Sequence, residues 1–172
     1  MKYLIDDLEE YAQSDYYPFH MPGHKRNERL FDGIDPYKVD ITEIDGFDNL
    51  HNPKGIILDA MKNASDFFET DRTWFLVNGS SCGILAAISA VTNIGDKIII
   101  GRNCHKAVYN CAKLRNLDVE YVYPSYIAKY GINGGYNKGE IENILKKNRD
   151  VKAVVLTSPT YDGIVSDIEE IA

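Results

Sequence analysis

The stretch KIIIGRNCHKAVYNCAKLRNLDVEYVYP, residues 97 to 124, decides the fold class of this chain. It begins with a β-branched run, continues through a segment of helical character, and ends in a second β-rich run. A strand, a helix and a strand in this order are typical of a parallel βαβ unit. Because both strand runs are nearly continuous in apolar residues, they predict strands that are covered on both faces.

The same alternation continues on both sides of this stretch. Two further strands are predicted, WFLV at 74–77 and KAVVLTS at 152–158. Helices are predicted over 81–93, 105–116, 138–148 and 55–69, with a short helix around 3–13. Right-handed crossovers would stack the helices on the sheet. The predicted fold class is therefore α/β, a parallel sheet in a three-layer sandwich.

Composition narrows the classes of function. The chain has 172 residues, 44% of them hydrophobic, which is enough for a packed core. A formal net charge of -7 disfavours a nucleic-acid partner, and no apolar run approaches the roughly 18 residues of a membrane span. Three cysteines without a CxxC pair favour reduced thiols. We expect a cytoplasmic protein.

Residues 15–54 have no clear period, and a connection of this length is usually functional or disordered. Its many aromatic side chains favour an ordered, irregular segment that lies over a surface or a partner subunit. His20 and His24 have a spacing that binds zinc on a helix, but Pro22 and Gly23 break such a helix. The acidic run DITEIDGFDNLHNPKG, 40–55, fits a metal-like acidic cluster or a solvated loop equally well.

Polar groups recur where predicted strands pass into helices. In the turn from Asn78 to Ser81, free helix amides and two serine hydroxyls either cap the helix or form a cradle for a phosphate. The GxxxxGK[ST] and GxGxxG patterns are absent, which disfavours the common nucleotide-binding loops. A phosphate on some other molecule stays open.

Two more junctions belong to the same predicted sheet edge, where ligands of open α/β sheets gather. His105 follows the second strand and is either a ligand-contacting imidazole or a locally bonded histidine. Lys106 is read as a solvated helix residue. The turn TSPTYDG, 157–163, presents Thr160 after the last strand.

The C-terminal run SDIEEIA, 166–172, begins like a helix with Ser166 as N-cap and Glu169 completing a capping box. The chain ends three residues after Glu169, so the predicted helix has fewer than two turns and is marginal. We therefore expect the sequence to be the front part of a longer chain.

Taken together, the motifs resemble the pyridoxal-phosphate-dependent decarboxylases of ornithine, lysine and arginine. The large domain of this family has the aspartate-aminotransferase fold, which is fold type I. The resemblance rests on five stretches in order: FHMPGHK at 19–25, DITEIDGFDNLHNPKG at 40–55, FLVNGSSCG at 75–83, KIIIGRNCHKAVY at 97–109 and AVVLTSPTYDGIVSDI at 153–168. Each is weak alone, and the ordered set is highly specific.

The resemblance implies a role for several residues. Gly79, Ser80 and Ser81 would hold the phosphate of pyridoxal 5'-phosphate, His105 would stack on the pyridine ring, and Thr160 would lie near its phenolic oxygen. The family's Schiff-base lysine and the aspartate that holds the ring nitrogen come after TSPTYDG and are absent from this chain. The resemblance therefore implies a fragment that is inactive alone.

The resemblance also implies an organisation and partners. Residues 1–54 would form an N-terminal helix plus an irregular segment near the active site or dimer interface, and 55–172 would be part of the cofactor-binding large domain. We expect a homo-oligomer, a basic amino acid as substrate, a role in polyamine biosynthesis, and no metal, nucleic acid or membrane. The alternatives are an aminotransferase or carbon-sulfur lyase of the same fold, or a non-catalytic assembly module.

Overall fold

The computed structural model describes residues 3–19, 23–27, 33 and 35–172. Contacts divide the chain into two compact units, Met1–Asp71 and Arg72–Ala172, which are described separately. The division falls after the helix predicted over 55–69. The expected functional domains, 1–54 and 55–172, stay a prediction.

In the described residues of the first unit there are three helices, α1 (Leu4–Gln13), α2 (Pro36–Val39) and α3 (Ile56–Phe67). The predicted helices around 3–13 and over 55–69 are thereby confirmed. Helix α1 begins where the Asp6 carboxylate accepts a hydrogen bond of 2.8 Å from the Tyr3 amide. Its last turn is held by Arg26, whose guanidinium donates to the Ser14 carbonyl at 3.1 Å and lies 4.2 Å from the centre of the Tyr11 ring. Arg26 thus connects the end of the FHMPGHKR stretch with α1.

The second unit is built on a three-stranded parallel sheet. Its strands are β1 (Lys97–Gly101), β2 (Asp118–Val122) and β5 (Val151–Val155), in the order β2-β1-β5. In the sequence, β2 is followed by a separate short antiparallel pair, β3 (Tyr126–Ile127) and β4 (Ile132–Asn133), before β5 begins. The helices of this unit are α4 (Gly79–Val91), α5 (Lys106–Leu114), α6 (Lys138–Lys147) and α7 (Ile168–Ile171). Three of the four predicted strands are confirmed.

The sheet separates two apolar clusters. On one face Ile98 and Ile100 of β1 pack against α4 and α5, with Val108 and Cys111 in the same cluster. On the other face Ile99 packs in a cluster that includes Ile141 of α6. Ile98, Ile99 and Ile100 are each 0% exposed. The central strand is covered on both faces, which confirms the α/β/α layering.

Two local predictions were wrong. Residues 74–77 form no strand, since no strand in the described part of the chain pairs with them and Trp74 is 58% exposed. An extended run becomes a strand only where a neighbour accepts its backbone hydrogen bonds. Ser166 is not the N-cap of the last helix: Asp167 caps it, accepting from the Glu170 amide at 3.0 Å. The Ser166 hydroxyl instead accepts from the Tyr136 amide at 3.1 Å.

Among the described residues, no helix has the length and apolarity that crossing a membrane requires.

Candidate functional site

The turn that leads into α4 is open to solvent. Asn78 and Gly79 both have left-handed backbone angles, with φ of 64° and 65°, and α4 begins at Gly79. Ser80 and Ser81 are exposed, and within the described residues neither hydroxyl has a hydrogen-bond partner. No side chain caps this helix, and its first turn contains no acidic residue. The backbone amides of this turn are therefore free for an external acceptor.

This set of groups suits an anion. The first amides of a helix point outward along its axis, and the helix dipole gives this end a partial positive charge. Ser80 and Ser81 add two hydroxyl donors, and a Cβ placed on Gly79 would meet no atom within 4 Å. The groups that the sequence predicts as a cradle are exposed at this helix start, and their role in holding a phosphate stays a prediction.

His105 lies at the start of α5 and is its N-cap. The imidazole Nδ1 accepts a hydrogen bond of 3.1 Å from the Ala107 amide. The local hydrogen bond that the sequence left open is therefore real. Because only Nδ1 is used and the residue is exposed, Nε2 and the faces of the ring remain available.

His105 borders an apolar cavity of about 400 Å³ between α4 and β5. Its lining includes Ile84 and Ile88 of α4, Val155 of β5 and Thr157. The α4 lining begins at Ile84, one turn beyond Ser80. The structure thus brings His105 next to the helix that carries the serine turn, while the serines themselves do not line this cavity.

The turn between β1 and α5 is fixed by several hydrogen bonds. The Tyr109 hydroxyl donates to the Arg102 carbonyl at 2.7 Å and accepts from the Arg102 guanidinium at 3.0 Å. The Cys104 amide donates to the Gly101 carbonyl at 3.0 Å, and its thiol donates to the Val155 carbonyl at 3.4 Å. Burial raises the pKa of the Cys104 thiol, so this group stays a neutral donor.

Sequence reasoning missed Tyr136, which reaches this turn from the other face of the sheet. Its hydroxyl hydrogen-bonds to Oδ1 of Asn103, and the residue is only 8% exposed. Burial raises the pKa of Tyr136 to about 12. The one signal in the sequence is Gly101 at the end of a buried strand, because a strand glycine often marks a close approach.

Thr160 is buried and used within its own turn. Its hydroxyl accepts from the Ile164 amide at 3.1 Å, and its amide donates to the Ile164 carbonyl at 2.8 Å. The Gly163 amide closes the turn on the Thr160 carbonyl at 2.9 Å. Contact of Thr160 with a ligand stays a prediction. Lys106 is exposed, as expected.

The acidic stretch 40–55 has a structural explanation in Asp48. This carboxylate accepts hydrogen bonds from five backbone amides, those of Asn49, Lys54, Gly55, Ile57 and Leu58. The amide bonds, with that of Lys54 first, hold the pKa of Asp48 well below its usual range. Asp48 thus closes the loop onto the start of α3. Across the described ranges, no group of three or more His, Cys, Asp or Glu side chains is arranged to hold a metal.

In the FHMPGHK stretch, His20, Met21 and Pro22 lie outside the described residues. The His20 and His24 pair is therefore described only at His24, whose Nδ1 accepts from the Arg26 amide at 3.1 Å.

Comparison with known proteins decides the family. The family model described as Orn/Lys/Arg decarboxylase, major domain, matches residues 3–172. The chain belongs to the Orn/Lys/Arg decarboxylase family.

Curated relatives of this Orn/Lys/Arg decarboxylase chain are bacterial. It is 36% identical to the protein YaaO of Bacillus subtilis, over 98% of this chain and 36% of that protein. It is 33% identical to the arginine decarboxylase of the same organism, over 98% of this chain and 36% of that enzyme. The chain spans about a third of the length of these relatives.

Solved structures agree with the family's fold. The lysine decarboxylase LdcF of Francisella novicida matches with a TM-score of 0.64 and 27% identity, over 98% of this chain and 26% of that one. The chain has the α/β, parallel-sheet fold of the N-terminal part of a fold type I large domain. The fold expected from the resemblance is confirmed.

Proposed function

We propose that this chain is the N-terminal portion of a pyridoxal-phosphate-dependent decarboxylase of ornithine, lysine or arginine. The single observation that supports pyridoxal phosphate as the cofactor is the set of free donors in the turn at Gly79, Ser80 and Ser81. Its hydroxyls have no partner among the described residues, its first amides are free, and no carboxylate lies in its first helical turn. Such a set of donors fits a phosphate dianion.

In this proposal each residue has a separate task. Ser80, Ser81 and the amides beside Gly79 bind the phosphate and orient the whole cofactor. His105 presents a ring face to the pyridine, while its Nδ1 stays occupied by the Ala107 amide. Thr160, held in its turn by Ile164, offers a hydroxyl proton near the phenolic oxygen. When bound, the cofactor supplies an electron sink for the electron pair that carbon dioxide leaves behind.

The remaining assignments belong to the same proposal. Residues 55–172 are part of the cofactor-binding large domain, and 1–54 lie close to the active site or to a dimer interface of a cytoplasmic homo-oligomer. None of the 172 residues is assigned as the Schiff-base lysine, so we propose that they do not decarboxylate alone. Relatives named as arginine, ornithine and lysine decarboxylases favour this chemistry over an aminotransferase or lyase.

The cofactor role is tested by binding, because binding does not require turnover. Pyridoxal phosphate is titrated into the 172-residue chain, and the amide signals of Ser80 and Ser81 are followed by NMR. The wild type is expected to show saturable shifts at both residues. In the Ser80→Ala, Ser81→Ala double variant two charge-assisted bonds are lost, so binding is expected to weaken at least roughly tenfold.

The matched control is Ser89→Ala, on the same helix but beyond the turn, where the hydroxyl faces the Cys111 thiol at 3.8 Å. Its affinity for pyridoxal phosphate is expected to equal that of the wild type. Equal affinity in the double variant would rule out the serine turn as the phosphate site.

A further inference from the structure

Tyr136 is anchored at both its backbone and its side chain. It lies between β4 and α6, and it packs in the apolar cluster that contains Ile99 and Ile141. Its amide donates to the Ser166 hydroxyl at 3.1 Å, and its own hydroxyl reaches Oδ1 of Asn103. A tyrosine held in this way has little freedom to adopt another rotamer.

Gly101 is what admits the tyrosine to the end of β1. A Cβ built on Gly101 would overlap the Tyr136 hydroxyl, and the ring carbon that bears this hydroxyl would lie 2.6 Å away. No side chain other than hydrogen fits there while Tyr136 keeps its position. The position of the Tyr136 ring therefore depends on glycine at position 101.

The hydrogen bond to Asn103 lies just beyond the C-terminal end of the central strand β1. Tyr136 belongs to the cluster on the α6 side, whereas Cys104 and Val108 belong to the cluster on the α4 and α5 side. Asn103 connects the two, and it precedes His105 by two residues. Through this bond the cluster on the α6 side of the sheet holds the turn from which the His105 imidazole projects.

The state of the phenol suits this task. Burial raises the pKa of Tyr136 to about 12, so the hydroxyl remains a proton donor across the physiological range. The bond to Asn103 therefore does not titrate near neutrality.

We propose that Tyr136 is a positioning residue for His105, holding the β1–α5 turn through Asn103 so that the imidazole keeps one orientation. The proposal rests on the proposed function in taking His105 as the group that stacks on the cofactor ring. Its structural part, the dependence of the imidazole on Tyr136, requires no cofactor.

The test uses Tyr136→Phe in the 172-residue chain, with Tyr126→Phe as matched control because Tyr126 is 69% exposed. The readouts are the imidazole nitrogen shifts of His105 and the solvent exchange of the Ala107 amide, both by NMR without ligand. In the wild type, Nδ1 is expected to be the unprotonated acceptor. In Tyr136→Phe the shifts should move toward those of a free imidazole, and the exchange should accelerate about fivefold, as for loss of one hydrogen bond. The control should match the wild type.

A second variant covers the case in which Tyr136→Phe does not fold. Asn103→Ala keeps the buried tyrosine and removes only its acceptor, and it should change the same two His105 readouts. If both variants fold and leave His105 and Ala107 as in the wild type, the proposal is wrong.

Phosphate binding separates this proposal from the proposed function. Inorganic phosphate is titrated into wild type and Tyr136→Phe while the Ser80 and Ser81 amides are observed. Equal shifts in both proteins, with His105 altered only in the variant, support both proposals. Absence of shifts in both proteins overturns the phosphate site alone, because the His105 readout does not depend on it.

Discussion

Two turns of the second unit, each leading into a helix, are built in opposite ways. The turn at 78–81 is exposed, and its serine hydroxyls have no partner among the described residues. The turn at 101–105 is held from three directions, by Tyr109, by Tyr136 and by the carbonyl of Val155. The first turn keeps its serine hydroxyls unused, whereas the second is held by several internal hydrogen bonds.

The difference suits the two roles proposed for these turns. A group that binds an anion must keep its donors unpaired in the free protein, because each internal bond would have to break on binding. A group that presents a flat ring needs a fixed direction more than free donors, since a small misplacement weakens stacking.

The largest effect is expected from alanine at the two glycines of these turns. Gly101→Ala forces Tyr136 out of its place and should lower the free energy of unfolding by about 1–3 kcal/mol. Gly79→Ala meets no atom and strains only a left-handed backbone, which should cost about 1 kcal/mol. Urea denaturation measures both. If Gly79→Ala lowers the free energy of unfolding more than Gly101→Ala does, the turn at 78–81 is at least as constrained as the turn at 101–105.

Alkaline titration tests the turn at 101–105, which Tyr136 holds through Asn103. The pKa of Tyr136 is raised from 10.0 to about 12, so the folded state favours the neutral phenol. The stabilisation is complete below pH 10 and is lost as the pH rises through about 12. Stability measured by urea denaturation should fall more steeply over this range in the wild type than in Tyr136→Phe. Parallel curves would show that the phenol is not buried in solution; Tyr126→Phe is the control.

Cysteine accessibility compares the same two turns. Cys82 is partly exposed in the first turn of α4, whereas Cys104 is buried with a raised thiol pKa. Iodoacetamide should therefore modify Cys82 on the order of tenfold faster, because the thiolate is the reactive form and must be reached. Peptide mass spectrometry follows both sites in one sample. Cys111, which is 1% exposed, is the internal reference for a protected thiol.

The smallest effect on stability is expected at Ser81. Ser81→Asp places a carboxylate at the positive end of α4 and should stabilise the chain by about 0.3–1 kcal/mol. The same charge should repel phosphate and weaken pyridoxal phosphate binding. Ala86→Asp, exposed on the same helix but away from its end, is the matched control. In Ser81→Asp the melting temperature is expected to rise while the affinity for pyridoxal phosphate falls. An undiminished affinity would contradict a phosphate site at this turn.

The central part of the fold was predictable because its signals are local. The apolar run of β1 is buried on both faces, and the segments assigned to α5 and α6 formed helices there. The run at 74–77 has the same composition as a strand, yet strand formation depends on a partner that no local pattern encodes. Ser166 has the right residue type for a cap, but its hydroxyl is taken by Tyr136.

For the candidate site, the sequence predicted the positions of the turns but not the side-chain contacts that hold them. The sequence predicted turns at 78–81 and 101–105 at one sheet edge, but only the turn at 101–105 follows a strand of the sheet. Tyr136 was not predicted, because it is 33 positions from Asn103 and reaches it only through the fold. Asp48 was ambiguous for a similar reason: its amide partners extend up to ten residues away, and only the folded loop brings them together.

The chain order of the strands has a consequence for synthesis. Strands β1 and β2 and the helix between them precede β5 in the chain, so they leave the ribosome before it. The carbonyl that receives the Cys104 thiol belongs to β5. The nascent chain therefore carries an incomplete β1–α5 turn until its third strand docks.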